Sequence, residues 1–313
     1  MKHAETVTFG GGGLDRAEDL RRHPEMLSAL PVRTLPLWRG KPLLNASRDG
    51  LAFIGGPAFT DHGTPVLIGR IDGAAIFARD VSALHLEDVS DMLGGFTDTS
   101  EQTHVDLPDG TAFAELRQAM TRLSPLDAEI AATAKGVLDW HRTHGFCANC
   151  GSPTDAGKAG WMRGCAGCGR MHFPRTDPVV IMLITRGNSV LLGRSPAWPE
   201  GFFSCLAGFM EPGETLEAAV RREVWEETGI RVGPVSYLSS QPWPFPGSLM
   251  LGAHGEAISE QIEIDPEEIA EAIWLSREDM AEVLAGNHAR ILPAREGAIA
   301  HFLLQNWLAD TLD

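Results

Sequence analysis

The sequence predicts an α/β protein of two domains with a small cysteine-paired insert between them. Three observations carry this. Short apolar runs broken by Gly and Pro fill residues 32–85, two Cys-x-x-Cys pairs stand within 147–168, and strand-like runs flank an amphipathic helix in the last third. At 313 residues the chain can bury more than one core. Hydrophobic content of 43% and charged content of 22% are those of an ordinary globular protein. The formal charge of −16 weighs against non-specific binding to nucleic acid or anionic membrane. No run of about 18 apolar residues occurs. The start, Met1-Lys2-His3-Ala4-Glu5-Thr6, has no apolar signal core. The expectation is a cytoplasmic protein with no membrane partner.

The elements are taken in chain order. Val7-Thr8-Phe9 reads as a short strand. Gly10 to Gly13 read as a flexible loop, because no Lys-Ser/Thr comes after them to make a phosphate cradle. Residues 14–27 read as a polar helix with Leu14, Ala17 and Leu20 spaced along it. Strands are expected at Leu51–Gly55, Thr64–Ile71 and Ala74–Ala78, with a hairpin at Ile71-Asp72-Gly73. Residues 112–120 and 127–144 have helical periodicity. In the second, Ile130, Ala134, Val137, Leu138 and His141 mark one face, and this helix should link the N-terminal domain to the cysteine-paired insert. Residues 171–178 read as extended. Val179–Ile184 and Ser189–Leu192 form a hairpin around Arg186-Gly187-Asn188. Further strands are expected at Val235–Leu238, Leu249–Ala253 and Glu260–Ile264. Helices are expected at Glu267–Ala272, Arg277–Leu284 and Gly297–Ala309. The division is 1–125 for a β-rich domain, 126–144 for the linking helix, 145–175 for the insert and 176–313 for the last domain.

Cys147-x-x-Cys150 and Cys165-x-x-Cys168 are separated by fourteen residues. Each pair can present two thiolates to one tetrahedral ion, and Gly151, Gly164 and Gly169 allow tight turns. This is the zinc-ribbon pattern, and four thiolates make a closed, structural Zn²⁺ site. The alternative, a redox pair, lacks the βαβ context it needs. Cys205, in the apolar run 202–206, reads as a buried small hydrophobe.

Residues 208–230 read G-F-M-E-P-G-E-T-L-E-A-A-V-R-R-E-V-W-E-E-T-G-I. The start is loop, Thr215 is a plausible N-cap and Gly229 a helix stop. Leu216, Ala219, Val220 and Val224 give an apolar face. Glu223, Glu226 and Glu227, at i, i+3 and i+4, share the other side. At ~5.5 Å and an effective dielectric of about 20, each like-charge pair costs roughly 3 kcal/mol. Such a cluster reads as a cation site, and its hard oxygens suit Mg²⁺ or Mn²⁺. Taken alone, a glutamate-rich helix face is more often simply solvated. The full spacing, from Gly208 through Glu214 to Arg222-Glu223-Val224-x-Glu226-Glu227-x-Gly229-Ile230, matches the Nudix box, so the region resembles the Nudix superfamily. The resemblance implies an α/β/α sandwich that cleaves a nucleoside diphosphate linked to another moiety, with divalent metal.

Residues 240–248 read S-Q-P-W-P-F-P-G-S. Three alternating prolines stiffen the segment, and Trp243 and Phe245 offer flat surfaces for stacking on bases. A packed aromatic loop or a Pro-rich protein ligand is the alternative on composition alone. With the Nudix box and the cysteine pairs before it, the chain resembles the NADH pyrophosphatase (NudC-like) subfamily. This implies hydrolysis of NAD(H) to NMN(H) and AMP, with removal of NAD caps from RNA in some members. It also implies a homodimer, structural Zn²⁺ and catalytic Mg²⁺ or Mn²⁺.

Carried over residue by residue, the resemblance makes Glu223, Glu227 and Glu268 metal ligands, with Glu226 beside them and the Ala207 carbonyl joining. It assigns Gln241, Pro242, Trp243, Pro244, Phe245, Pro246, Gly247 and Ser248 to the dinucleotide, together with Ala300 and Arg117. Phe173 stands where the subfamily has Tyr, which keeps a ring and loses a hydroxyl. The implied mechanism is attack on phosphorus by a water activated by metal and carboxylate. Arg222 is expected to orient Glu214 or the carboxylates. Two rival readings are a Nudix hydrolase of another substrate such as ADP-ribose, and a non-catalytic NAD-sensing or RNA-interaction module.

Overall fold

The computed structural model describes residues 1, 3–86 and 98–312. They divide into two compact units. One is Phe9–Thr176 with Trp243–Gly247; the other is Met1–Thr8, Asp177–Pro242 and Ser248–Asp313.

The first unit opens with a short helix, α1 (Glu18–Arg22), and a 3₁₀ turn over Pro24–Ala29. The single helix expected over 14–27 is thus broken at His23, where the proline after it disfavours helical geometry. Val7-Thr8-Phe9 is not a strand; Phe9 turns at φ 71 and is buried. The sheet contains β1 (Val32–Trp38), β2 (Lys41–Leu44), β3 (Ile54–Gly55), β4 (Val66–Ile71), β5 (Ala74–Asp80) and β6 (Ala112–Phe113), in the order β4-β5-β1-β2-β6 with β3 on β1. Asp72 and Gly73, at φ 49 and 76, close the β4–β5 hairpin as the sequence predicts. β1 and β5 pair in parallel. Ala112 and Phe113 pair with β2 and are fully buried, so only α2 (Leu116–Ala119) of the expected 112–120 helix forms.

Helix α3 (Pro125–Thr143) is capped by Ser124, whose hydroxyl accepts the Asp127 N–H, and has Pro125 in its first turn. Ile130, Ala134, Val137 and Leu138 pack in one core with Leu35, Leu37, Val66 and Ile68. The expected linking helix is therefore part of the first unit's core. A small antiparallel sheet of β7 (Thr154–Gly157), β8 (Met162–Cys165) and β9 (Met171–His172) completes this unit. Gly164 lies inside β8 rather than in a turn.

The second unit contains β10 (Asp177–Arg186), β11 (Ser189–Arg194), β12 (Leu206–Phe209), α4 (Leu216–Thr228), β13 (Val232–Trp243), β14 (Ser248–Ala257), β15 (Glu271–Ser276), α5 (Arg277–Leu284) and α6 (Ile299–Leu308). Its sheet runs β13-β14-β10-β11-β15, with β12 on β10. The pleat sorts β10 to two sides. Val180, Met182 and Ile184 pack with Ala219, Val220 and Val224 of α4. Ile181 and Leu183 pack with Met280 and Val283 of α5 and Leu303 and Leu304 of α6. Helices thus cover both faces, which is the α/β/α sandwich. No helix among the described residues is long and apolar enough to cross a membrane.

Two expectations fail here. Residues 260–264 form no strand. The helix expected at 267–272 is a turn leading into β15, where Ala272 and Trp274 face one core and Ile273 and Leu275 the other. That two-residue alternation, with pairing to β11, overrides the local helical pattern.

Gln241 ties this unit together. It is 1% exposed. Its Nε2 donates to the carbonyls of Thr8 (3.0 Å) and Gly297 (2.8 Å), and its Oε1 accepts the Ile299 N–H at 2.8 Å. Gln241→Ala would leave these buried groups unpaired, at about 1–3 kcal/mol each. Thermal melting should show Tm lowered by at least about 3 °C, given about 2–4 °C per kcal/mol at this size. An unchanged Tm would contradict the role.

Candidate active site

Helix α4 positions the carboxylates. Thr215 Oγ1 accepts the Ala218 N–H at 3.3 Å, and Gly229 ends the helix at φ 68. The apolar face is buried, which turns Glu223 and Glu227 toward a cavity of about 620 Å³. Leu206, Ala207, Gly208 and Phe209 of β12 also line it, as do Ser195, Trp198, Arg222, Glu267 and Glu268.

Arg222 organises the charges. Its Nε and Nη2 grip the two oxygens of Glu214 at 2.7 and 2.9 Å. Nη1 donates to Glu223 and Glu226, each at 2.9 Å, and Nη2 also reaches the Phe209 carbonyl at 2.9 Å. The guanidinium holds the Glu214 carboxyl well down, at about 2. Burial raises the Glu223 carboxyl, against the pull of Arg222. Glu227 receives no such partner. It is 7% exposed, and its Oε2 is buried with no hydrogen bond. Burial first, then the charges of Glu223, Glu268 and Glu226, push its carboxyl up to about 8.

An unpartnered buried carboxylate oxygen among other carboxylates fits a divalent cation held by hard oxygens. Gly208 supports the same reading. A Cβ there would come within 1.9 Å of the Glu223 carboxyl carbon, so only glycine admits this carboxylate against β12. The glutamates are not drawn into a closed cluster, however. Among the described residues, the four ribbon cysteines are the group whose ligand atoms lie within 4.8 Å of one another. Glu226 and Glu268 are exposed, and Ala207 is on the exposed stretch of β12.

In the ribbon, Cys147 Sγ lies 3.6 Å from Cys168 Sγ, and Cys150 Sγ lies 3.5 Å from Cys165 Sγ. Two equivalent knuckles build this. Gly151 and Gly169, at φ 75 and 73, donate to the carbonyls of Cys147 and Cys165 at 2.8 and 2.9 Å. His172 Nε2 sits 3.2 Å from Cys147 Sγ. Against burial, the Asn149 and Cys150 N–H groups and His172 bring the Cys147 thiol down to about 5. Cys205 is buried in the second unit's core, and burial holds its thiol up at about 12.

The substrate residues expected from the sequence are dispersed. Trp243 and Phe245 stack edge to face at 5.0 Å, and each lies 6.2 Å from Phe9. The Arg117 guanidinium covers Phe245 at 4.1 Å. Pro242 and Trp243 end β13, Pro244 is buried, Pro246 comes after a cis bond in the 244–247 turn with Gly247, and Ser248 begins β14. Phe173 is exposed, with the Lys158 ammonium 6.0 Å from its ring. Gln241 and Ala300 are buried; the Gln241 donors are spent within the fold, so that side chain positions rather than offers contacts. Phe209, 62% exposed and lining the cavity, and Trp198 were not singled out by the sequence. The signal for Phe209 was its place inside the box, as an apolar residue ending a strand.

Known proteins share this architecture. Residues 31–140 match an NADH pyrophosphatase-like rudimentary NUDIX domain, 142–173 an NADH pyrophosphatase zinc ribbon domain, and 175–294 a NUDIX domain. The chain is 34% identical over 319 residues to the NAD-capped RNA hydrolase NudC of Mycobacterium bovis (strain BCG / Pasteur 1173P2), covering 95% of this chain and 93% of that one. It is 41% identical over 207 residues to NudC of Stutzerimonas stutzeri (strain A1501), covering 66% and 71%. It is 43% identical over 201 residues to the human NAD-capped RNA hydrolase NUDT12, covering 61% of this chain and 44% of that one. The chain thus matches less than half the length of NUDT12. A solved NUDIX hydrolase from Nitrosomonas europaea overlaps at TM-score 0.43 and 20% identity, over 53% of this chain and 90% of that one.

Two outcomes are expected. Zinc analysis of purified protein should give about one ion per chain, lost in Cys147→Ser together with thermal stability; a normal melt without zinc would refute the site. For Glu227 the folded carboxyl, at about 8, lies above its ordinary 4.5. Its stabilising neutral form is therefore fully present below about pH 4.5 and lost as pH rises through about 8. Without Mg²⁺ or Mn²⁺, Glu227→Gln should melt at least about 3 °C higher than wild type at pH 8, and with no such gain at pH 4.5. Equal melting curves at both pH values would refute this electrostatic account.

Proposed function

This chain belongs to the NADH pyrophosphatase (NudC-like) subfamily of the Nudix hydrolases, and on that premise we propose that it hydrolyses the pyrophosphate of NAD(H) to NMN(H) and AMP and removes NAD caps from RNA. The observation that carries the reading is the buried, unpartnered Glu227 carboxylate facing a cavity beside Glu223. Glu223, Glu227 and Glu268, with Glu226 beside them and the Ala207 carbonyl, are the residues that would hold Mg²⁺ or Mn²⁺. When bound, the cation supplies a water of lowered pKa and offsets charge on the pyrophosphate oxygens.

The chain's own groups do the rest. Arg222 fixes the Glu223 and Glu226 carboxylates from outside and is spent on them. Gly208 keeps β12 close to Glu223. Phe209 offers an exposed aromatic face at the same cavity. Trp243 and Phe245, pre-set by Phe9 and Arg117, are assigned to a base, with Phe173, Ala300 and the rest of 242–248 in supporting contacts and Gln241 holding the strand behind them. Cys147, Cys150, Cys165 and Cys168 hold zinc. The five cysteines are all unbridged, in keeping with a cytoplasmic protein, and the subfamily resemblance implies a homodimer.

Product analysis with NADH, NAD⁺, ADP-ribose and NAD-capped RNA tests the reading. NMN(H) and AMP should form, and Glu227→Gln should lose orders of magnitude in rate while staying folded. Trp243→Ala should lower kcat/KM for NADH by about five- to 150-fold, the worth of one stacked base. Preference for ADP-ribose over NADH, or normal turnover by Glu227→Gln at saturating Mg²⁺, would sink it.

A further inference from the structure

The first unit holds a second cavity, of about 370 Å³, lined by Leu37, Arg39, Gly40, Asp80, Ser82, Lys135, Leu138, Asp139 and Arg142. Three cations and two carboxylates face it, in a chain whose formal charge is −16. We propose that it is a binding site for a small phosphoryl anion, an inorganic phosphate or the phosphate of a nucleotide.

The donors outnumber the acceptors. Lys135 is the deepest cation, with its side chain 13% exposed. Its ammonium carries three N–H donors, and it donates to Asp139 Oδ2 at 2.7 Å. Asp139 is shared, because its Oδ1 lies 3.6 Å from Arg142 Nε. Asp80 accepts both the backbone N–H and the hydroxyl of Ser82. Arg39 has no carboxylate partner among the described residues; its guanidinium lies 4.6 Å over the Trp38 ring. An anion with several acceptor oxygens is what this excess of charged donors suits, and a phosphate can take more than one arginine fork.

The backbone makes room for it. Gly40 turns at φ +79, and a Cβ there would stand 2.8 Å from Lys135 Nζ. The missing side chain lets the ammonium reach the cavity. Arg39, at φ 47, is held in its turn by the Ser82 hydroxyl, which accepts its N–H at 2.8 Å. Lys135 has a second neighbour: its ammonium lies 5.6 Å over the Phe245 ring. A bound anion therefore shares that charge with the aromatic turn.

Calorimetric titration of the zinc-loaded full chain, without added Mg²⁺ or Mn²⁺ and at constant ionic strength, tests the site. Inorganic phosphate should bind saturably at one site per chain. Arg39→Ala and Arg142→Gln, both at exposed positions, should weaken it about tenfold or more with unchanged melting. Glu227→Gln, in the other cavity, should leave it alone. AMP binding that is tighter and equally sensitive to Arg39→Ala assigns the nucleotide; AMP no tighter than phosphate assigns the bare phosphoryl group. No saturation at tens of millimolar, or an isotherm indifferent to Arg39 and Arg142, overturns the proposal.

Discussion

One guanidinium holds the carboxylate site in shape. Arg222 is gripped by Glu214 through two bonds and in turn grips Glu223 and Glu226. Without it, carboxylates at helical spacing would repel by roughly 3 kcal/mol per pair, and they would turn outward to water. Its bond to the Phe209 carbonyl also ties α4 to the end of β12. The same bonds leave Glu227 aside. Burial and three neighbouring charges then act on that carboxylate with no guanidinium opposing them. The site is therefore divided: Arg222 partners Glu214, Glu223 and Glu226, and one buried oxygen of Glu227 is left unmatched.

The sheet decides where that oxygen points. Alternate residues of β10 go to α4 on one side and to α5 and α6 on the other. This sandwiching lets α4 bury Ala219, Val220 and Val224 against the sheet, which leaves Glu223 and Glu227 to face the cavity. Two glycines allow the close approach. Gly208 admits Glu223, and a Cβ at Gly193 would lie 2.5 Å from the Leu206 side chain. Both line the cavity.

The parts of this arrangement visible in the sequence are those made locally. The Thr215 cap, the Gly229 stop and the apolar face of α4 lie within one helix length. The cysteine knuckles close over four or five residues. The hairpin at Asp72-Gly73 needs only its two turn residues. What was illegible depends on distant partners. Residues 112–113 join a strand at 43–44, and residues 271–276 join one at 189–194; in both places pairing across the chain overrode the local period. The resemblance assigned Gln241 to the dinucleotide, whereas its side-chain partners lie within the fold, 233, 56 and 58 positions away. Nothing near residue 241 announces them.

The aromatic turn shows the same division in its energetics. Composition suggested two open stacking faces. In the structure Trp243 and Phe245 spend part of their surface on each other and on Phe9, and Arg117 and Lys135 add charge over Phe245. That packing reduces the area open to a ligand, and it also fixes the rings before any ligand arrives. A ring already held loses little rotamer freedom on binding, where a loose one would give up about 0.5–1.5 kcal/mol. The prolines do the corresponding work on the backbone by restricting φ. The turn is thus better described as a pre-set aromatic surface than as a flexible clamp, and its shape depends on Phe9 and Arg117 as much as on the two rings that the sequence displays.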